Sequence, residues 1–312
     1  MLDCKKINLK KGSTGTKVKE LQIILQKKGY YDGVIDGEYG ALTVQAVKLL
    51  QRKQGNDPDG NFGPKTCSKL DQKTTLETPA GNINASNQKF LKDEILKAGK
   101  VFRQHIKNNN NYPNYIEMKN SSGKTYQVSR ALYMGLFEGM NMFAIKKGRL
   151  PNYVVANSTA NNPLCIDYQN NGYNCGPTSL SMCIQMYGEY ISESTLANVC
   201  GTTRNGTSPA SLNSGAKKYG YKLSEIPRNM NSVRNSLAKC RPVLMHIHTS
   251  YSGGRSCLGY RGAYGHYIMC YGTKGNNYLL ADPTKGFKTC RSSSIDNARS
   301  SDFMKYYSVE II

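Results

Sequence analysis

Val18, Leu21, Ile24 and Leu25 fall at three- and four-residue intervals, an apolar stripe that predicts a helix stopping at Gly29. A turn built from DGVIDGEYG follows, with Thr43 placed to cap a second helix through Val44, Val47 and Leu50. The DPDG turn and FGPKT then lead into a short third helix. Together these predict a three-helix domain over residues 1–74. Residues 75–87 are polar and poor in large side chains, as a linker is. Beyond them Ile95, Ala98, Val101, Phe102 and Ile106 share one helix face, which ends in the asparagine run 108–111. The stretch YPNYI at 112–116 returns as LPNYV at 150–154, each copy following an Ile-Lys pair. That recurrence predicts one and a half helix-plus-loop repeats, and so a small helical repeat domain over 88–160.

The pattern changes in residues 161–312. Leu180, Cys183, Ile184 and Tyr187 mark a helix face, with Pro177 in its first turn and Gly188 after it. RPVLMHIHTS reads as a buried strand, and GHYIMCYG and NNYLLAD as two more. A loop over 272–276 would pair Tyr271 with Asn277 and set His266 opposite Asp282. A slip of one residue would put Asp282 on the other face. The fold class predicted is multidomain α+β, its last domain a helix packed on an antiparallel sheet.

The net charge of +21 changes this picture little. Residues 1–74 carry 14 basic and 8 acidic side chains, residues 75–160 carry 12 and 5, and residues 161–312 carry 16 and 8. Charge so evenly spread fits attraction to an anionic surface such as a cell wall, and it excludes a phosphate-tracking stripe for nucleic acid. No apolar run approaches the roughly 18 residues of a membrane span, and MLDCKKINLKKG is no secretory signal. The expected route is synthesis in the cytoplasm, then release to the wall. Ten cysteines without CxxC or knuckle spacing exclude a structural zinc site. With no signal, free thiols are expected rather than disulfides, most of them as small buried hydrophobes.

One thiol is different. Cys175, in NGYNCGPTSL, sits at a predicted helix amino terminus, where exposed N–H groups favour a thiolate. Cys183 is simply core. Of four histidines, His105 is expected in solvent, and His246 and His248 share a strand face without a third metal ligand. His266 is left as the base, with Asp282 to orient it. Gln169, six residues before Cys175, is the preferred side-chain donor to an oxyanion, with the Cys175 N–H as the second. Asn174 is the competitor, but a residue adjacent to the nucleophile usually points away from it.

Residues 1–74 resemble peptidoglycan-binding-type three-helix domains through Gly15, Val18, Leu21-Gln22, Gly29-Tyr30, Asp36-Gly37, Thr43, Asp59-Gly60, Gly63-Pro64 and Thr66. The middle segment, with HIKNNNNYPNYI, resembles the pseudomurein-binding repeat. Gln169, Cys175-Gly176-Pro177, Gly265-His266-Tyr267 and Asp282-Pro283 resemble the C39-related branch of papain-like cysteine peptidases. Joined, the parts are most similar to pseudomurein endoisopeptidases, the C71 peptidases of methanogen viruses and prophages. That resemblance implies hydrolysis of the bond between alanine and the lysine ε-amine in archaeal wall cross-links, with pseudomurein as both substrate and binding target. It also implies no organic cofactor, a need for reducing conditions and stimulation by calcium or another divalent cation, whose ligands the sequence leaves unknown. The alternatives are a papain-like peptidase of bacterial peptidoglycan or leader peptides, and an inert wall-binding protein.

Overall fold

The computed structural model describes residues 2–27, 30–31, 35–70, 85–156, 160, 162–249, 257–262, 264–296 and 304–312. The expected helix stop at Gly29, the start of the DGVIDGEYG turn and linker residues 75–84 lie outside the described residues. The chain divides into two compact units, residues 1–82 and 83–312.

The first unit holds α1 (Thr16–Lys27), α2 (Ala41–Lys53) and α3 (Pro64–Ser68). Val18, Leu21, Leu25, Val47, Leu50 and Phe62 form its core. Thr43 does not cap α2, which begins at Ala41. Its hydroxyl is buried, donating to the Glu38 carbonyl at 3.3 Å and accepting from Gln22 at 3.2 Å. Two buried amides brace the two Asp-Gly turns in the same way. Gln22 Nε2 donates to Asp36 at 2.8 Å while its Oε1 accepts the Gly37 N–H at 2.9 Å. Gln51 Nε2 donates to Asp59 at 2.7 Å while its Oε1 accepts the Gly60 N–H at 2.8 Å. Gly37 and Gly60 have φ of +79° and +80°, where any L side chain would cost roughly 1–2 kcal/mol.

The expectation of free thiols throughout is corrected. Cys4 is bonded to Cys67, and in the second unit Cys257 is bonded to Cys290. The partners lie 63 and 33 residues apart, so only folding brings them together. Closing the longer loop stabilises the first unit by about 4 kcal/mol in the chain-entropy account.

The second unit begins with β1 (Lys89–Leu91), α4 (Lys92–Asn109), β2 (Tyr115–Lys119), β3 (Thr125–Ser129), α5 (Arg130–Lys147) and β4 (Tyr153–Val155). The repeat is therefore two complete strand–helix–strand copies, not one and a half, and it is not purely helical. Strands this short carry too few residues for their alternation to stand out. The copies exchange edges: Leu91 pairs with Tyr153, and Ser129 with Tyr115. The helix starts match too, Lys92 N–H donating to the Asn152 carbonyl at 2.9 Å and Arg130 N–H to the Asn114 carbonyl at 3.0 Å. Val101, expected on the buried face, is half exposed, and Gly99 takes its place.

There follow α6 (Cys175–Gln185), α7 (Glu193–Val199), α8 (Pro209–Lys217), β5 (Tyr221–Ile226), α9 (Met230–Leu237), β6 (Val243–His248), β7 (Gly265–Lys274), β8 (Asn277–Asp282), β9 (Gly286–Arg291), α10 (Ser292–Asp296) and β10 (Tyr306–Ile311). The strands form one antiparallel sheet in the order β5-β10-β6-β7-β8-β9. Its two faces carry different cores. On one face Leu180, Tyr187, Leu244 and Met269 share a single cluster with Phe102, Phe137 and Met140 of α4 and α5. On the other lie Val243, Met245, Ile268, Leu280 and Tyr306. The expected boundary at residues 160/161 thus does not separate two cores, because α5 is buried on several sides and shares one apolar cluster with residues of α6. Among the described residues, no helix is long and apolar enough to cross a membrane.

α4 packs closely on the turn that follows α6. A Cβ on Gly99 would lie 2.7 Å from the Gly188 carbonyl oxygen, and Gly188 itself sits at φ +66° against Phe137. Arg103 Nε approaches Glu189 at 3.6 Å, and Tyr221 donates to the same carboxylate at 2.6 Å. Gly99→Ala is expected to destabilise the protein by about 1–3 kcal/mol in urea unfolding, because backbone must move. A gain near 1 kcal/mol, which helix propensity alone predicts, would mean that α4 does not seat there.

Candidate active site

The hairpin of β7 and β8 decides which way Asp282 points. Lys274 pairs with Asn277, so the turn holds only Gly275 and Asn276, not the five residues expected. From there Thr273 faces Tyr278 and Gly272 faces Leu279. A bulge takes up Tyr271, and beyond it Cys270 faces Leu280 and Met269 faces Ala281. One further step sets Asp282 beside Ile268, on the same face as His266 and two residues along from it. The expected register, with Asp282 directly opposite His266, is therefore corrected, while the expected face is kept. Had the turn's register run on without the bulge, Asp282 would lie beside Met269 and point away.

Both side chains are buried, and His266 Nε2 lies 3.2 Å from Asp282 Oδ1. Asp282 also accepts the backbone N–H groups of Thr284 at 2.8 Å and Lys285 at 3.1 Å. Burial pushes its pKa up, but the bonds from His266, Thr284 and Tyr260 outweigh that and hold it below the usual carboxylate range. Cys175 is the first residue of α6 and half-buried, and its thiol is near enough to the imidazole to raise the ring's pKa. Since Nε2 faces Asp282, Nδ1 is the nitrogen left for sulfur. Burial alone would lower the His266 pKa; the bond to Asp282 and the contact with Cys175 instead raise it to about 9. A pKa there keeps the ring an imidazolium at neutral pH. The stability this raised pKa brings is complete below the ring's ordinary 6.5 and is lost as pH rises through about 9.

Gln169 lies against the turn after Asp282. Its backbone N–H donates to the Pro283 carbonyl at 2.9 Å, and its Oε1 accepts from Thr284 Oγ1 at 3.2 Å. Its Nε2 is turned to the Asn171 carbonyl. Asn174 points elsewhere, donating to Glu193. Glu193 also accepts the Asn170 N–H at 3.0 Å, so one buried carboxylate ties down the loop between Gln169 and Cys175. Sequence reasoning missed Glu193. It also missed Tyr260, whose hydroxyl donates to Asp282 at 2.8 Å and lies 3.0 Å from His266 Nε2. No sequence signal marks Tyr260, which comes from a loop fastened to β9 by the Cys257–Cys290 bond.

His248 pairs with Gly265 across β6 and β7. His246 stacks on Tyr267 with ring centroids 4.2 Å apart, and His105 Nε2 meets Asn111 Oδ1 at 2.9 Å. Among the described residues no three His, Cys, Asp or Glu side chains converge to hold an ion.

Two families match this chain. Residues 164–301 match the Peptidase C39 family, and residues 14–70 match a peptidoglycan binding domain. The chain therefore carries a papain-like C39 cysteine peptidase domain behind an amino-terminal peptidoglycan-binding domain. The spore cortex-lytic enzyme of Halalkalibacterium halodurans is 41% identical over 94 residues, 30% of this chain and 25% of that protein. An N-acetylmuramoyl-L-alanine amidase of Bacillus licheniformis is 48% identical over 62 residues, 19% of this chain and 17% of that protein. The chain thus spans a quarter or less of the length of these relatives. Among solved structures, the peptidase domain of Streptococcus ComA is 21% identical, with a TM-score of 0.38 over 47% of this chain and 98% of that one.

The raised His266 pKa predicts a basic limb near pH 9 in the kcat/KM profile, where the imidazolium deprotonates. In Asp282→Asn the limb should fall toward the ordinary imidazole value, since burial then acts with less opposition. The rate should drop by roughly 10²–10⁴-fold. A limb unmoved by this change would detach Asp282 from His266.

Proposed function

We propose that this chain, with a C39 peptidase domain behind a peptidoglycan-binding domain, is a lysin-like cysteine hydrolase of cell-wall peptide cross-links. The finer reading is cleavage of the alanine–lysine ε-isopeptide bond of pseudomurein. The convergence of Cys175, His266 and Asp282 carries the hydrolase reading, and the resemblance to pseudomurein endoisopeptidases carries the choice of bond. The Cys175 thiolate attacks the scissile carbonyl and forms a thioester as the C–N bond breaks. His266 gives its proton to the departing lysine ε-amine. Water then attacks the thioester, losing a proton to His266, and the acid leaves as the thiolate–imidazolium pair is restored. Asp282 keeps Nε2 engaged so that Nδ1 faces sulfur. In this reading Gln169 turns its amide from Asn171 to the oxyanion and joins the Cys175 N–H there.

The bacterial origin of the curated relatives favours a second reading, with bacterial peptidoglycan as the polymer. Digests of purified archaeal and bacterial walls, followed by labelling of newly freed amines, separate the two. The expected result is amine release from archaeal walls by the wild type and none by Cys175→Ser. Release from bacterial walls alone would overturn the pseudomurein assignment. No release from either wall would leave a wall-binding protein without catalysis. His266→Ala should lower the rate by about a thousandfold, as loss of one member of such a unit does.

A further inference from the structure

Two tyrosine rings lie against the imidazole of His266, and they differ in what they have left to give. Tyr260 and Tyr264 both meet it edge-on, with ring centroids 5.1 and 6.4 Å from it and 5.7 Å from each other. Tyr260 is partly buried, and its hydroxyl is taken up by Asp282 and His266. Tyr264 is 46% exposed. It stands two residues before His266, on the same side of the strand. Its backbone is fixed: the Thr249 N–H donates to its carbonyl at 3.0 Å, and its own N–H donates to Thr249 Oγ1 at 3.1 Å. The buried Thr249 hydroxyl in turn donates to the Gly262 carbonyl at 2.6 Å. Gly262 also makes room for the ring, since a Cβ there would lie 3.0 Å from Tyr264 Cε1. The ring is near Cys175 too: burial, then the charges of Asp282 and Cys175, push its phenol pKa up. A fixed backbone thus presents an open aromatic face beside the reacting groups.

The direction of the reaction says what passes that face. When the C–N bond breaks, the departing amine takes its proton from His266, so its nitrogen lies within hydrogen-bonding distance of the ring. Whatever that nitrogen carries must run on past the imidazole, and Tyr264 is the exposed ring that borders it. We propose that Tyr264 is the specificity-determining residue of the leaving-group side, its face holding the methylene stem of a primary alkyl amine. An unbranched stem, such as that of the lysine ε-amine, lies flat on an aromatic ring and covers it. The amine of a main-chain peptide bond carries a branch on its first carbon, which holds the chain off the ring. Tyr264 therefore favours side-chain amide bonds over main-chain ones. The inference rests on the reading of the chain as a cysteine hydrolase of peptide cross-links, and it adds the residue that selects the leaving group.

The test compares two amides of N-acetyl-alanyl-alanine, one with the lysine ε-amine and one with methylamine, leaving groups of like basicity. The full-length wild type should show a kcat/KM roughly tenfold higher for the ε-lysyl amide, the size of effect that an apolar contact has on substrate choice. In Tyr264→Ala that ratio should fall toward parity. Tyr264→Phe, which keeps the ring, should retain it. Gly262→Ala, whose methyl group crowds the ring, should lower it with the tyrosine still in place. Amine release from walls should follow the ε-lysyl amide across these variants. An unchanged ratio in a folded Tyr264→Ala protein overturns the proposal, and so does an equal loss on both amides, which would make Tyr264 a mere support for His266. If neither amide is turned over, wall digestion decides: release by Tyr264→Ala at the wild-type rate overturns the proposal. Absence of hydrolysis by the wild type on amides and walls alike overturns instead the peptidase reading on which it rests.

Discussion

The extra residue in β7 is the constraint on which the site depends. In a strand, odd and even positions face opposite sides, so a carboxylate meets an imidazole across a hairpin only when the count between them has the right parity. The tight Gly275–Asn276 turn sets the wrong parity, and the bulge at Tyr271 restores it. Asp282 consequently enters a buried position beside His266 that it could not hold as an unpaired charge. Four donors surround it: His266, Tyr260 and the backbone of Thr284 and Lys285.

From that carboxylate the electrostatics run outward to sulfur. A buried imidazole would ordinarily stay neutral at pH 7, but the bond to Asp282 and the contact with Cys175 reverse this. The helix start at Cys175 adds its partial positive charge to the same end. Glu193 holds the preceding loop, and the Cys257–Cys290 bond holds the loop bearing Tyr260. The two sulfur states are distinct: Cys175 is a free cysteine, while Cys257 and Cys290 are bonded to each other in the same unit.

The middle segment illustrates a different economy. Its two copies complete each other's sheets, so neither has paired edges alone, and their helices share one apolar cluster with the residues of α6. What looked like a separate module is part of the wall of the peptidase core. The first unit has its own core and builds its two Asp-Gly turns around Gln22 and Gln51.

By itself the sequence determined the helices of the first unit, the recurrence of Pro-Asn-Tyr, the strand character around His266 and Asp282, and the position of Cys175 at a helix start. All of these follow from local periodicity and from residues that favour turns or helix ends, which a single chain displays directly. Tertiary structure alone decided the register of β7 and β8, the disulfide partners, the roles of Glu193 and Tyr260, and the fusion of the middle segment with the catalytic core. Each is a contact between residues distant along the chain, selected by packing and by hairpin geometry. Composition and spacing carry no record of such contacts, because parity across a bulge and partners in a core exist only once the chain has closed on itself.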